Sequence, residues 1–204
     1  MQKAIRIIFA EHRSLSAILS ALSSLAHMAR DPALRPDFAV LHAMVYYIDT
    51  FPERLHHPKE EEHLFARLAK RDPEAGGIIA ALREEHVKGA AMVRDLERAL
   101  NEFESIWPRG ADQFAAAVSA YSQFHWNHMR REEHDLIPRA EKCFTAEDWD
   151  ALETAFAANN EPIGDLDHTD FKALFQRILR LAPAPVGLGD RWTRQPGAKA
   201  ARAL

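Results

Sequence analysis

At 204 residues the chain is long enough for one domain with an appendage and can bury a sizeable core. Hydrophobic residues at 47% and charged residues at 27% exclude the disordered, collagen-like and membrane classes. A formal net charge of −4 lacks the basic excess that phosphate recognition requires, so nucleic acid is set aside as a partner.

Only 8 glycines and 11 prolines disfavour a turn-rich β fold, so helices are expected. Cys143 stands alone and cannot form an internal disulfide, so folding needs no oxidising compartment. The N-terminal apolar run is interrupted by Arg6, Glu11, His12 and Arg13 before a signal sequence can form. With no uninterrupted apolar stretch of about 18 residues, no membrane partner is expected, and the expected location is the cytoplasm.

Helical periodicity appears four times, each time closed by a breaker cluster. The first segment runs from Lys3 to Ala29, with Ile5, Phe9, His12, Leu15, Leu19, Leu22 and Ala26 on its seam, and stops before Asp31-Pro32. The second starts at Asp37, an N-cap residue, and carries Leu41, Val45, Ile48, Leu55, Leu64 and Leu68 to about Lys70. Pro52 and Pro58 lie inside it and predict a bend or local bulge. The third opens at Asp72-Pro73 and passes Ile79, Leu82, His86, Val93, Leu96 and Leu100 before ending near Glu104. The fourth begins at Asp112 and shows Phe114, Val118, Tyr121, His125, His128, Glu132, Leu136 and Ala140 on one face, fading near Cys143.

A shorter helix is signalled by Thr145-Ala146-Glu147-Asp148, followed by a turn from Asn159 to Gly164. A last amphipathic stretch, Phe171 to Leu181, presents Phe171, Leu174, Phe175, Ile178 and Leu179. From Ala182 the sequence loses periodicity and reads as a flexible tail. The expected architecture is all-α: an up-down-up-down four-helix bundle over residues 1–143, a helical extension packing on it over 144–181, and the tail over 182–204.

Each of the four seams carries a polar break. A single His on an apolar face is ordinarily a hydrogen-bonded core residue; four on one level are another matter. Measured from the end of the bundle they share, His12, His56, His86 and His128 lie 17, 19, 18 and 16 residues along their segments. At about 1.5 Å per residue the four imidazoles fall within about 5 Å in height. Glu60 follows His56 by four residues and Glu132 follows His128 by four, so each carboxylate stands one turn along the same face. The surrounding strings, HHPKEEEHLF at 56–65 and HMRREEHDLIP at 128–138, form an imperfect repeat. Inward imidazoles with two carboxylates suit a pair of metal ions, and a mixed nitrogen and oxygen set without a cysteine cluster favours iron over zinc. The expected ligands are therefore His12, His56, Glu60, His86, His128 and Glu132.

The second segment offers a competing register, because His57 and Glu61 are also four apart. His56 and Glu60 are preferred, since their spacing to Leu64-Phe65 equals that of His128 and Glu132 to Leu136-Ile137; His57 remains a candidate extra ligand. His125 is read as hydrogen-bonding behind the ligands rather than as one of them. Tyr121, one turn above, either donates to a bound small molecule or packs. The remaining acidic and basic runs are read as mostly solvated faces, and Cys143 as a small hydrophobe.

These residues resemble the hemerythrin HHE cation-binding family, recognised by a His on the first helix, H-x-x-x-E-E-x-x-L-F-P on the second, E-H on the third and a repeat of the second motif on the fourth. The chain shows His12; His56, Glu60, Glu61, Leu64 and Phe65; Glu85-His86; and His128, Glu132, Glu133, Leu136, Ile137 and Pro138. The resemblance implies a four-helix bundle holding two non-heme irons, bridged by an oxo or hydroxo oxygen and by the two glutamates. It departs from the oxygen carriers, which use H-x-x-x-H on the third helix and an Asp on the fourth. Here Ala90 follows His86 by four residues and the fourth-helix acid is Glu132. One metal position is then open or completed by another residue.

The leading expectation is a di-iron protein that binds or senses O2, NO or peroxide. The alternatives are an iron storage, iron donor or iron-sulfur cluster repair protein, and a metal-stabilised protein-interaction module. No nucleophile or substrate-orienting constellation is visible, so turnover is not assigned. A homodimer is compatible with the apolar face of the last helix.

Overall fold

The computed structural model describes residues 1–157, 168–184, 186–190, 192 and 194. The described residues fold into helices, with two isolated bridges and no named strand. Helix α1 spans Lys3–Met28. Helix α2 opens at Phe38–Thr50, capped by the Asp37 carboxylate on the Val40 N–H, and runs on through Ala66–Arg71. Helix α3 covers Gly76–Ile106 after the tight turn Pro73–Ala75, where Asp72 accepts from the Glu74 N–H. Helix α4 begins with Ala111–Arg131 and continues to Ile137–Cys143. Helices α5, Ala146–Ala157, and α6, His168–Leu181, follow.

Neighbours in sequence are neighbours in space, and α4 closes on α1, so the first four helices form the expected ring. Gly110 starts α4 at φ +87, where a Cβ would stand 3.0 Å from the Phe103 Cα.

Helices α2 and α4 are not regular throughout. The segments Phe51–His56, Glu60–Phe65 and Glu132–Leu136 are π-helical. The His57 N–H reaches the Pro52 carbonyl and the Ile137 N–H reaches the Glu132 carbonyl, five residues back instead of four. Pro58 and Pro138 explain two of these turns, because a proline has no N–H to offer and its ring displaces the carbonyl four residues earlier. The bulge expected from Pro52 and Pro58 is present; the one before Pro138 was not anticipated.

Two apolar clusters fill the bundle, one on each side of a polar layer. The first joins Leu15 to Ala29 with the start of α2, the later half of α3 and the first part of α4. The second joins Ile5, Ile8, Leu68, Leu82, Leu136 and Ala140, and α5 adds Trp149, Leu152 and Phe156 to it. Helix α5 starts with a reciprocal cap in which Thr145 Oγ1 accepts from the Asp148 N–H and Asp148 accepts from the Thr145 N–H. Helix α6 lays Ile178 into the first cluster, with Leu174 and Phe175 against it. The expected turn at Asn159 to Gly164 and the side chain of Phe171 lie outside the described residues. Within the stretch read as a flexible tail, Ala182 and Trp192 are buried in the first cluster, the indole bringing a large apolar surface to it.

Candidate metal centre

Between the apolar clusters, each bundle helix turns polar side chains inward. His12 comes from α1, His56, His57 and Glu60 from α2, His86 from α3, and His128 and Glu132 from α4, all of them buried. The one-turn spacing works as expected: His56 Nε2 lies 3.2 Å from Glu60 Oε1, and His128 Nε2 lies 3.3 Å from Glu132 Oε1. Glu132 Oε2 is also 3.4 Å from His12 Nε2, and Glu60 Oε2 is 3.7 Å from His86 Nε2.

Two groups of donor atoms result, each with its atoms within 4.8 Å of one another. One comprises His12, His56, Glu60 and Glu132; the other comprises His57, Glu60, His86 and His128. Glu60 belongs to both. All six residues singled out from the sequence are therefore brought together.

The choice between His56 and His57 dissolves, because both reach the interior. Widening the turn at Phe51–His56 reduces the rotation between successive residues, and the two adjacent imidazoles share the inner face. His57 stacks on His86 with ring centres 4.1 Å apart. It joins the donor group that contains His86 and His128.

Outside the donors runs a ring of glutamates. Glu11 of α1 accepts from His56 Nδ1 at 2.7 Å, Glu61 of α2 from His86 Nδ1 at 2.8 Å, Glu85 of α3 from His128 Nδ1 at 2.9 Å, and Glu133 of α4 from His12 Nδ1 at 2.8 Å. Each helix thus fixes the imidazole of the next around the closed bundle. A carboxylate only accepts, so each Nδ1 carries the proton and each Nε2 turns inward. Reading the acidic runs as solvated faces overlooked this role for Glu61 and Glu133. Their signal is adjacency: each follows an inward glutamate directly, as Glu11 and Glu85 directly precede an inward histidine.

These tautomers decide what the centre can hold. His12 Nε2 and His56 Nε2 face each other at 3.1 Å, and in neutral rings with protonated Nδ1 these are two lone pairs in contact. Both oxygens of Glu60 and of Glu132, with His86 Nε2 and His128 Nε2, have no hydrogen-bond partner among the described residues. Burying carboxylates in this way costs several kcal/mol each unless cations answer them. The donors therefore fit metal ions in both chemistry and convergence.

Without metal, protons supply the positive charge. Burial depresses His128, but the Glu132 charge and its hydrogen bonds outweigh that and push it up to about 10. His12, His56 and His86 are raised as well, against burial: His12 by Glu132 and Glu133, His56 by Glu60 and Glu11, and His86 by Glu132 and Glu60. Glu132 is held well below its ordinary value by His128, His12 and His86 in spite of its burial. His57 goes the other way: burial and the surrounding imidazoles hold it well below 6.5, so it is neutral.

A family model described as the hemerythrin HHE cation binding domain matches residues 3–140. The chain belongs to the hemerythrin HHE cation-binding family. No curated protein matches it. The matched span ends within the last turns of α4, so the hemerythrin domain and the four-helix bundle coincide, with α5 and α6 beyond it.

Beside the centre of this hemerythrin domain lies a second buried polar group, and sequence reasoning missed its carboxylate. Glu53 Oε2 lies 3.5 Å from His57 Nδ1 and Glu53 Oε1 3.8 Å from His125 Nε2, and burial pushes its carboxyl up to about 7. Its position four residues before His57 was the available signal. His125 joins neither donor group; it is buried against Tyr121, with ring centres 4.5 Å apart, and burial lowers it to about 3. The Tyr121 hydroxyl is buried and has no partner among the described residues. His42 lies apart from the centre and pairs with Glu104. No helix of the described residues is long and apolar enough to cross a membrane.

Proposed function

We propose that this hemerythrin domain holds two iron ions side by side, ligated by His12, His56, Glu60, His57, His86, His128 and Glu132, and binds or senses O2, NO or peroxide there. The observation that carries the reading is the ring of four outer glutamates, which turns four Nε2 atoms toward two buried carboxylates that have no hydrogen-bond partner among the described residues. Bound at these donors, a pair of irons supplies reversible one-electron chemistry and a coordination position for a small molecule. The chain's own part is to fix donor geometry, exclude bulk water between two apolar clusters and keep a buried hydroxyl, Tyr121, two turns from His128.

The test is elemental analysis of protein purified without added metal, followed by anaerobic reduction and exposure to O2 or NO. About two irons per chain and new visible charge-transfer bands are expected. Fully iron-loaded protein that stays spectrally silent toward O2, NO and peroxide would remove the sensing reading.

An iron-donor role is the second reading, favoured by the weak hold on His57, whose Nδ1 makes no hydrogen bond among the described residues. A chelator should then take iron from reduced protein within minutes; iron retained for hours argues for sensing.

A further inference from the structure

Four imidazoles of the centre are clamped at 2.7 to 2.9 Å, and the fifth is not. His57 is only 4% exposed, yet its Nδ1 has no hydrogen-bond partner among the described residues and lies 3.5 Å from Glu53. It sits on His57–Lys59, a single short stretch between two π-helical turns. The same ring forms part of the wall of a cavity of about 340 Å³ between α2 and α3, lined by Glu53, His57, Glu61, Glu62, His86 and Val87. Four other cavities among the described residues reach none of the five imidazoles.

The wall carries three carboxylates and two imidazoles and no lysine or arginine. Arg83, with Nε 4.0 Å from Glu61 Oε2, offsets part of that charge. An acidic recess with low-dielectric walls concentrates cations and repels anions. Six waters at about 30 Å³ each occupy about 180 Å³, so the cavity has room for a hydrated divalent ion.

We infer that this cavity is the loading port of the centre. A divalent cation enters between α2 and α3, exchanges water for the carboxylates of Glu62 and Glu53, and is passed by His57 into the position surrounded by His57, Glu60, His86 and His128. The inference rests on the metal reading above. His57 suits the task because a ring without a clamp can turn between port and centre, whereas His86 on the same wall is fixed by Glu61 at 2.8 Å. Val87, 75% exposed on the cavity wall, supplies no donor atom itself and offers a place to narrow the opening.

The experiment is stopped-flow uptake of Co²⁺ by chelator-stripped full-length protein, followed by its ligand-field absorption. Val87→Trp should slow uptake by at least about tenfold while leaving the final metal content per chain unchanged. Glu62→Gln should slow uptake severalfold at low salt, and the difference should vanish at about 0.5 M salt, where exposed charges are screened. Ala116→Trp, in the cavity between α1 and α4, should load at the wild-type rate. Loading of Val87→Trp and Glu62→Gln at wild-type rates, or equal slowing by Ala116→Trp, overturns the route while leaving the metal reading intact. A wild-type chain that takes up no Co²⁺ and no Fe²⁺ at any time overturns both.

Discussion

Stripped of metal, the centre is held together by its own protons, and its stability should fall as the pH rises from about 7 to about 9. His128 is raised from 6.5 to about 10 by Glu132. A raised histidine contributes fully below its unfolded value and loses that contribution as pH climbs through its folded value. At about 1.4 kcal/mol per pH unit for each retained proton, His128 alone removes about 3 kcal/mol across this window. No discount for solvent applies, because the side chain is 2% exposed. Two other shifted groups change below this window: His125, lowered to about 3, opposes the trend between about 3 and 6.5, and Glu53, raised to about 7, adds to it below that value. Urea denaturation of chelator-stripped protein at several pH values, beside His128→Gln, isolates the contribution of His128 together with its hold on Glu132 and the adjacent imidazoles, since titrating groups that do not interact with it cancel between the two. Metal-loaded protein should lack this slope, because a cation takes the place of the proton at Nε2. Identical pH slopes for the stripped wild type and His128→Gln would refute the reasoning.

Glu133→Gln leaves His12 in place but weakens its clamp, and should lower metal affinity about 10- to 100-fold in a chelator competition, with little change in the circular dichroism of the fold. Phe156→Ala should cost about 3 to 5 kcal/mol in urea denaturation, because the ring is fully buried against the second apolar cluster; a cost near zero would mean that α5 does not support the bundle. Gly110→Ala should destabilise by roughly 1 to 2 kcal/mol, since the position needs a left-handed backbone and a Cβ would meet the Phe103 backbone at 3.0 Å.

The bundle was legible because its signals are local. Asp37 and Thr145 cap the helices they were expected to cap, and the seams of α1 and α3 bury the residues on their apolar stripes, apart from the half-buried Phe9. The donor level was legible for the same reason: helices of similar length, joined by short connections, put residues equally far from one end at equal height. Glu61 and Glu133 were harder to read, since each is one position away from an inward glutamate and looks solvent-facing on a helical wheel. Their hydrogen bonds run to the adjacent helix, so they depend on how two helices are rotated against each other. Trp192 was missed because burial at a single aromatic leaves no periodicity to detect.

The amino-acid order by itself settled which four segments coil, which faces are apolar, and that Glu60 and Glu132 stand one turn past a histidine; these follow from 3.6 residues per turn and from caps and breakers a few residues away. Only the tertiary structure decided that His56 and His57 both enter the interior, and that Glu11, Glu61, Glu85 and Glu133 close a ring around it. The physical reason is that a π-turn shifts the angular phase of everything after it, and whether a proline produces one depends on what the neighbouring helices offer the displaced backbone and side chains.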